Sequence, residues 1–181
     1  VDPSILYVEI TSKIFYNTGL TDQTEGQIRD KAINSVQSYI DISDTEKFNG
    51  KFRYSKFIGV IDDADISINS NLTSVIMRKD FYPQLNSTFY YEVCFQNAFD
   101  EDCDDPVLSS TGFRVTEYPN FDVYVEDRDK KIVLYRLDSV TGEKVVLDSD
   151  IGDIDYVKGE LKMYALTIIR GSFFDNRISL R

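Results

Sequence analysis

The chain has 181 residues, and its 31 Asp and Glu against 20 Lys and Arg leave a net charge of −11. That balance offers no basic stripe for a nucleic-acid backbone and disfavours anionic membrane surfaces, and no apolar run approaches the roughly 20 residues of a membrane span. Apolar residues make up 42% and aromatics 13%, with twelve Tyr, twelve Phe and no Trp, which is enough for a packed core in one or two domains and points to strand-rich structure.

The first half reads as a small α/β part, strand–helix–helix–strand. Ile5-Leu6-Tyr7-Val8-Glu9-Ile10 starts a strand that runs toward Phe15, and Tyr16-Asn17-Thr18-Gly19 breaks it with turn formers. Thr24, with Gln27 three residues on, reads as a capping box. Ile28, Ala32, Val36 and Ile40 then recur at four-residue spacing, with Ile33 and Tyr39 widening the stripe, so one apolar helix face ends near Ile42. After the Asn49-Gly50 turn, Tyr54, Phe57, Ile58 and Ile61 have the spacing of a short second helix, ended by Asp62-Asp63. Residues from Ile66 to Met77 return to strand-like sequence, with a turn expected inside at Asn69-Ser70-Asn71.

The second half reads as all-β. Phe89, Tyr91, Val93 and Phe95 alternate with Tyr90, Glu92, Cys94 and Gln96, and the spacing puts Phe89, Tyr91 and Val93 on one core-facing side. Further strands are expected at Thr111–Thr116, Phe121–Glu126, Lys131–Leu137, Lys144–Leu147, Gly152–Tyr156 and Glu160–Ile169. Short strands at this spacing predict an antiparallel β-sandwich or small barrel, with no helix longer than about two turns after Ser87. The fold class is therefore α+β, with a boundary at Gln84–Ser87 dividing residues 1–85 from 86–181.

Catalytic chemistry has little to work with. The chain has no His, which excludes Ser-His-Asp and Cys-His arrangements and His-based metal sites. Neither a Gly-x-x-x-x-Gly-Lys loop nor a Gly-x-Gly-x-x-Gly turn occurs. The acidic run Asp100-Glu101-Asp102-Cys103-Asp104-Asp105 lacks the spacing of a calcium loop and reads as a solvated connection. Asp62-Asp63-Ala64-Asp65 reads as a helix end. We therefore expect no catalytic residue, no metal and no cofactor. Cys94 and Cys103, the two cysteines, are expected to be free thiols in a reducing compartment. No signal peptide is read at the start, and Val1-Asp2-Pro3 suggests a longer parent chain.

The ordered pieces resemble a known family. Leu6-Tyr7-Val8-Glu9-Ile10, the Gln27–Ile40 helix and Gly50-Lys51-Phe52-Arg53-Tyr54-Ser55-Lys56-Phe57-Ile58-Gly59-Val60-Ile61-Asp62 are similar to the baseplate J-like wedge proteins of contractile-tailed (T-even-like and marine) bacteriophages. So are Ser74–Phe81, Tyr91–Asn97, Leu108–Phe113 and Gly152–Leu161, and the resemblance covers most of Leu6–Met163, as a C-terminal portion of a longer protein. It implies a non-enzymatic virion part, assembled in the host cytoplasm into the tail baseplate. Such a part self-associates as a dimer or ring and contacts other baseplate wedge and hub proteins. It builds the inner ring around the hub and changes contacts when the baseplate switches. Neither nucleic acid nor membrane is an expected partner. The alternative from a different class is a carbohydrate-binding or carbohydrate-cleaving phage tail module on the second-half strands; an adhesin domain unrelated to phage is disfavoured by the absent signal peptide and disulfide framework.

A ring-forming part needs surface that a neighbour covers, and such surface shows as aromatics beside turns and polar runs. Phe81, Tyr82, Phe99, Tyr118, Phe121, Phe173 and Phe174 have that placing. Phe173-Phe174 is the sharpest case, because adjacent residues of an extended chain point to opposite sides. A homo-oligomer, most simply a two-fold dimer, is expected.

Overall fold

The computed structural model describes residues 5–43, 50–99 and 106–181. The chain divides into two compact units, Ile10–Val75 and the combination of Val1–Glu9 with Ile76–Arg181.

The first unit is helical on one side of its strands. β1 (Tyr7–Tyr16) leads to a single 3₁₀ turn at Thr18–Leu20, where the Asn17 side chain accepts the Gly19 N–H at 2.8 Å. The capping box is present at the start of α1 (Glu25–Ile42): Gln27 N–H donates to the Thr24 hydroxyl at 3.4 Å and Thr24 N–H donates to the Gln27 side chain at 2.8 Å. α1 buries Ala32, with Val36 and Tyr39 half-buried beside it, against Phe57 and Ile61 of α2 (Tyr54–Asp62). The Phe57 ring meets Tyr39 edge-on at 6.5 Å and Phe52 at 5.5 Å. Ile10 and Ile14 of β1 alternate onto the same cluster. Ile33 does not widen the buried stripe; it is exposed on α1.

The expected turn at Asn69-Ser70-Asn71 is also absent, because β2 runs unbroken over Ile68–Phe81. The Asn71 amide is spent on α2, donating to the Asp62 carboxylate at 2.7 Å and the Ile58 carbonyl at 3.2 Å. A residue type that ordinarily folds the chain back on itself is here a tie between strand and helix.

The second unit is a closed barrel. β4 (Phe113–Val115), β5 (Tyr118–Arg128), β6 (Lys131–Leu137), β7 (Lys144–Asp155) and β8 (Glu160–Arg170) pair antiparallel in that order, and β8 also pairs with β4. β3 (Thr88–Cys94) pairs with β8 over Glu160–Thr167. Val123, Val125, Ile132, Leu134, Leu161 and Ile168 fill the inside and are all but fully buried. Gly152 lets β7 approach β8: a Cβ there would lie 2.2 Å from the Lys162 carbonyl oxygen. Between the sandwich and the small barrel left open by sequence, the strand order selects the barrel. Among the described residues no helix follows α2.

Three strand details depart from expectation. The segments Lys144–Leu147 and Gly152–Tyr156, expected as separate strands, are one strand, β7, whose register against β6 shifts beside its exposed Asp148-Ser149-Asp150 stretch. Phe89 is exposed, not core-facing as expected alongside Tyr91 and Val93, because the β3–β8 register shifts between Phe89 and Tyr91. A short strand, β9 (Ile178–Leu180), went unread. It pairs with the last residues of β2, with Lys79 facing Leu180 and Phe81 facing Ile178, and its other edge meets Ser110. This pairing joins the end of β2 to the barrel unit, so the compact units divide within β1 and β2, whereas the sequence boundary was drawn near residue 85.

Candidate interaction surface

Among the described residues no group of three or more His, Cys, Asp or Glu is placed to hold a metal ion. Two of the three carboxylates in the Asp62–Asp65 run, Asp62 and Asp65, have structural partners. Asp62 takes the Asn71 amide, and Asp65 accepts from the Ser67 N–H at 2.9 Å, the Ser67 hydroxyl at 2.7 Å and the Lys31 ammonium at 2.5 Å. The Lys31 ammonium, with the two Ser67 donors, holds the Asp65 carboxyl well below the usual carboxylate range. In the barrel, buried Asp127 accepts from Leu108 N–H at 2.6 Å and from the Tyr156 hydroxyl at 2.7 Å, and buried Glu126 pairs with Arg128 and Lys144. The Asp100–Asp105 run and Cys103 lie outside the described residues; Cys94 is a half-buried free thiol.

The seven aromatics read as contact surface take different positions. Phe81 packs on the barrel core with its ring 5.6 Å from Tyr91, and Phe99 sits edge-on to Phe95 at 5.1 Å. Tyr118 also packs on the core and stacks on Phe121 at 5.6 Å; the Arg136 guanidinium lies over the other's ring. Tyr82 is exposed, Phe173 is 40% exposed, and Phe174 stands fully clear of its own chain. The fold therefore brings Tyr118 and Phe121 together, whereas Phe173 and Phe174 are neighbours in sequence only; among the described residues no ring contact joins the two pairs. Tyr90, 77% exposed, was missed, although its place opposite Tyr91 on β3 marks it as outward-facing.

Phe174 is held on a tight turn. Asn176 N–H donates to the Phe173 carbonyl at 2.9 Å, and Ser172 N–H donates to the Arg177 carbonyl at 3.0 Å. Arg177 N–H donates to the Asp175 carboxylate at 3.2 Å. Gly171 closes the base, where a Cβ would lie 2.0 Å from the Asn176 carbonyl oxygen.

Arg177 ties this turn to a network of arginines and carboxylates, a signal hidden in sequence by the overall acidic balance. The Arg177 guanidinium lies 4.4 Å from the Phe173 ring centre and 3.5 Å from Asp80. Arg78 reaches Asp80 at 3.2 Å and Glu9 at 2.6 Å, and stacks over Tyr7 at 4.4 Å. Arg181 meets Glu9 at 2.8 Å. Hydrogen bonds from Arg181 and Arg78 hold the Glu9 carboxyl below its ordinary value.

Residues 4–80 match the family described as baseplate structural protein gp6, C-terminal domain III. No curated protein matches the chain. The matched residues take in β1, α1, α2 and nearly all of β2. The match covers less than half of the chain and supports a structural part of a phage baseplate that assembles with other baseplate proteins.

Proposed function

We propose that this chain is the C-terminal portion of a baseplate J-like wedge subunit of a contractile-tailed phage, which self-associates in the inner ring around the hub. It contacts smaller wedge proteins and the hub, with no nucleic acid or membrane partner, and it exchanges contacts when the baseplate switches at infection. Assembly takes place in the host cytoplasm. The observation that carries this reading is the family match over residues 4–80, laid on a strand–helix–helix–strand unit. Phe174 supports the self-association: an apolar ring on a hydrogen-bonded turn loses little conformational freedom on docking. Within the proposed contact set, Phe173, Phe174 and Tyr82 are the leading members. Phe81, Phe99, Tyr118 and Phe121 contribute their remaining edges.

Light scattering over a concentration series tests the self-association. The native chain is expected to form a dimer or larger ring by about 100 µM, well above the micromolar range of modest interfaces. Phe173→Asp and Phe174→Asp should each shift it toward monomer. A native chain that stays monomeric there overturns the proposal; an oligomer indifferent to both changes discards this choice of surface.

A further inference from the structure

The chain's acidic excess is unevenly spread. From Arg170 to Arg181 there are three arginines, Arg170, Arg177 and Arg181, against Asp175 alone. Arg177 and Arg181 share Asp80 and Glu9 with Arg78, as described above. Arg170 is different. It is exposed at the end of β8, has no carboxylate within ion-pairing distance among the described residues, and sits directly opposite Arg114 in the β4–β8 register. Arg114 itself is engaged by Asp122 at 2.7 Å. Like charges directly opposite on neighbouring strands destabilise a sheet, and among the described residues no carboxylate pairs with Arg170 to offset its charge. One residue on, Gly171 opens the turn that carries Phe173 and Phe174.

We propose that the Arg170–Arg177 turn, with Arg114 beside it, docks an acidic segment of a partner protein. A partner carboxylate meets the open Arg170 guanidinium, and a neighbouring apolar side chain packs on Phe174. The guanidinium fork takes a carboxylate through two parallel hydrogen bonds, so the site supplies both charge and geometry. Aromatics interleaved with arginine are the residue types that dominate binding energy at protein interfaces. A nucleic-acid backbone fits less well, because its repeated phosphates would run past Asp122 and Asp175 and along a strongly acidic chain. The proposal deepens the assembly reading, on which it rests, by naming the chemistry of one partner.

The test is selection from a random displayed-peptide library on the intact chain. Acidic peptides bearing an aromatic or aliphatic residue should be enriched. Their binding should weaken on going from about 50 to about 300 mM NaCl, as exposed ion pairs are screened. Arg170→Gln and Phe174→Ser, both at exposed positions, should each weaken the selected peptides roughly tenfold or more, as hot-spot residues do. Arg170→Gln should meanwhile leave the melting temperature unchanged or slightly raised, since it removes a like-charge pair. Enrichment of neutral or basic peptides, no enrichment, tighter binding of a single-stranded oligonucleotide, or indifference to both substitutions would each overturn the proposal. If the chain self-associates through Phe174 yet selects no acidic peptide, the assembly reading stands and the acidic occupant is discarded.

Discussion

At the scale of single residues, sign and burial separate groups that composition treats alike. Asp65 belongs to an acidic run that reads as a helix end, yet its carboxylate is the acceptor for three donors. Its folded pKa is depressed, so its stabilisation is complete above the unfolded value of about 4 and is lost as pH falls below it. Native chain should therefore melt higher than Asp65→Asn at neutral pH, and the gap should narrow progressively below about pH 4. Parallel melting-temperature curves from pH 7 down to about pH 3 would show that Asp65 contributes no such linkage. The aromatics teach a related lesson. Phe81, Phe99 and Tyr118, proposed as contact surface from their place beside turns, pack one side against the barrel core and are only partly buried. That one of Phe173 and Phe174 faces away from the core was legible, because neighbours in an extended chain point to opposite sides; which of the two stands clear was not.

At the scale of elements, legibility followed periodicity. α1 carries its start signal and its four-residue stripe in the sequence, and β6 spans the residues expected of it, Lys131–Leu137. Thr24→Ala should cost about 1 kcal/mol in urea unfolding, the usual worth of an N-cap; a loss near zero would mean that the Gln27 N–H bond to the Thr24 hydroxyl is dispensable. Asn69–Asn71 and Asp148–Asp150 are polar stretches of the kind that ordinarily break strands, yet they are kept within β2 and β7 through a side-chain tie and a register shift. β9 was invisible because three residues cannot display a period, although Ile178 and Leu180 are completely buried in the barrel core. Leu180→Ala should therefore destabilise the chain by about 2–5 kcal/mol, as large-to-small core changes do. A cost below about 1 kcal/mol, the scale of an ordinary surface change, would mean that β9 is not part of the folded core.

At the scale of the whole molecule, the two units carry different parts of the case. The family match falls on residues 4–80, whereas the barrel and the arginine-flanked Phe174 turn lie beyond it. The α+β order and the barrel strands could be read from alternating and helical patterns. Closure of the barrel through β8 could not, because it depends on a non-local pairing that no local pattern encodes. Net charge of −11 suits a part that stays soluble before docking, and the proposed acidic neighbour would meet the exposed Arg170 beside the Phe174 turn. The central claim is that this chain is built into the baseplate. Immunogold labelling of intact and partly disassembled virions, with antibodies raised against the chain, tests it most directly. The account predicts gold confined to the baseplate end of the tail; gold on the head or along the tail tube, or purified virions that carry none of the protein, would contradict it.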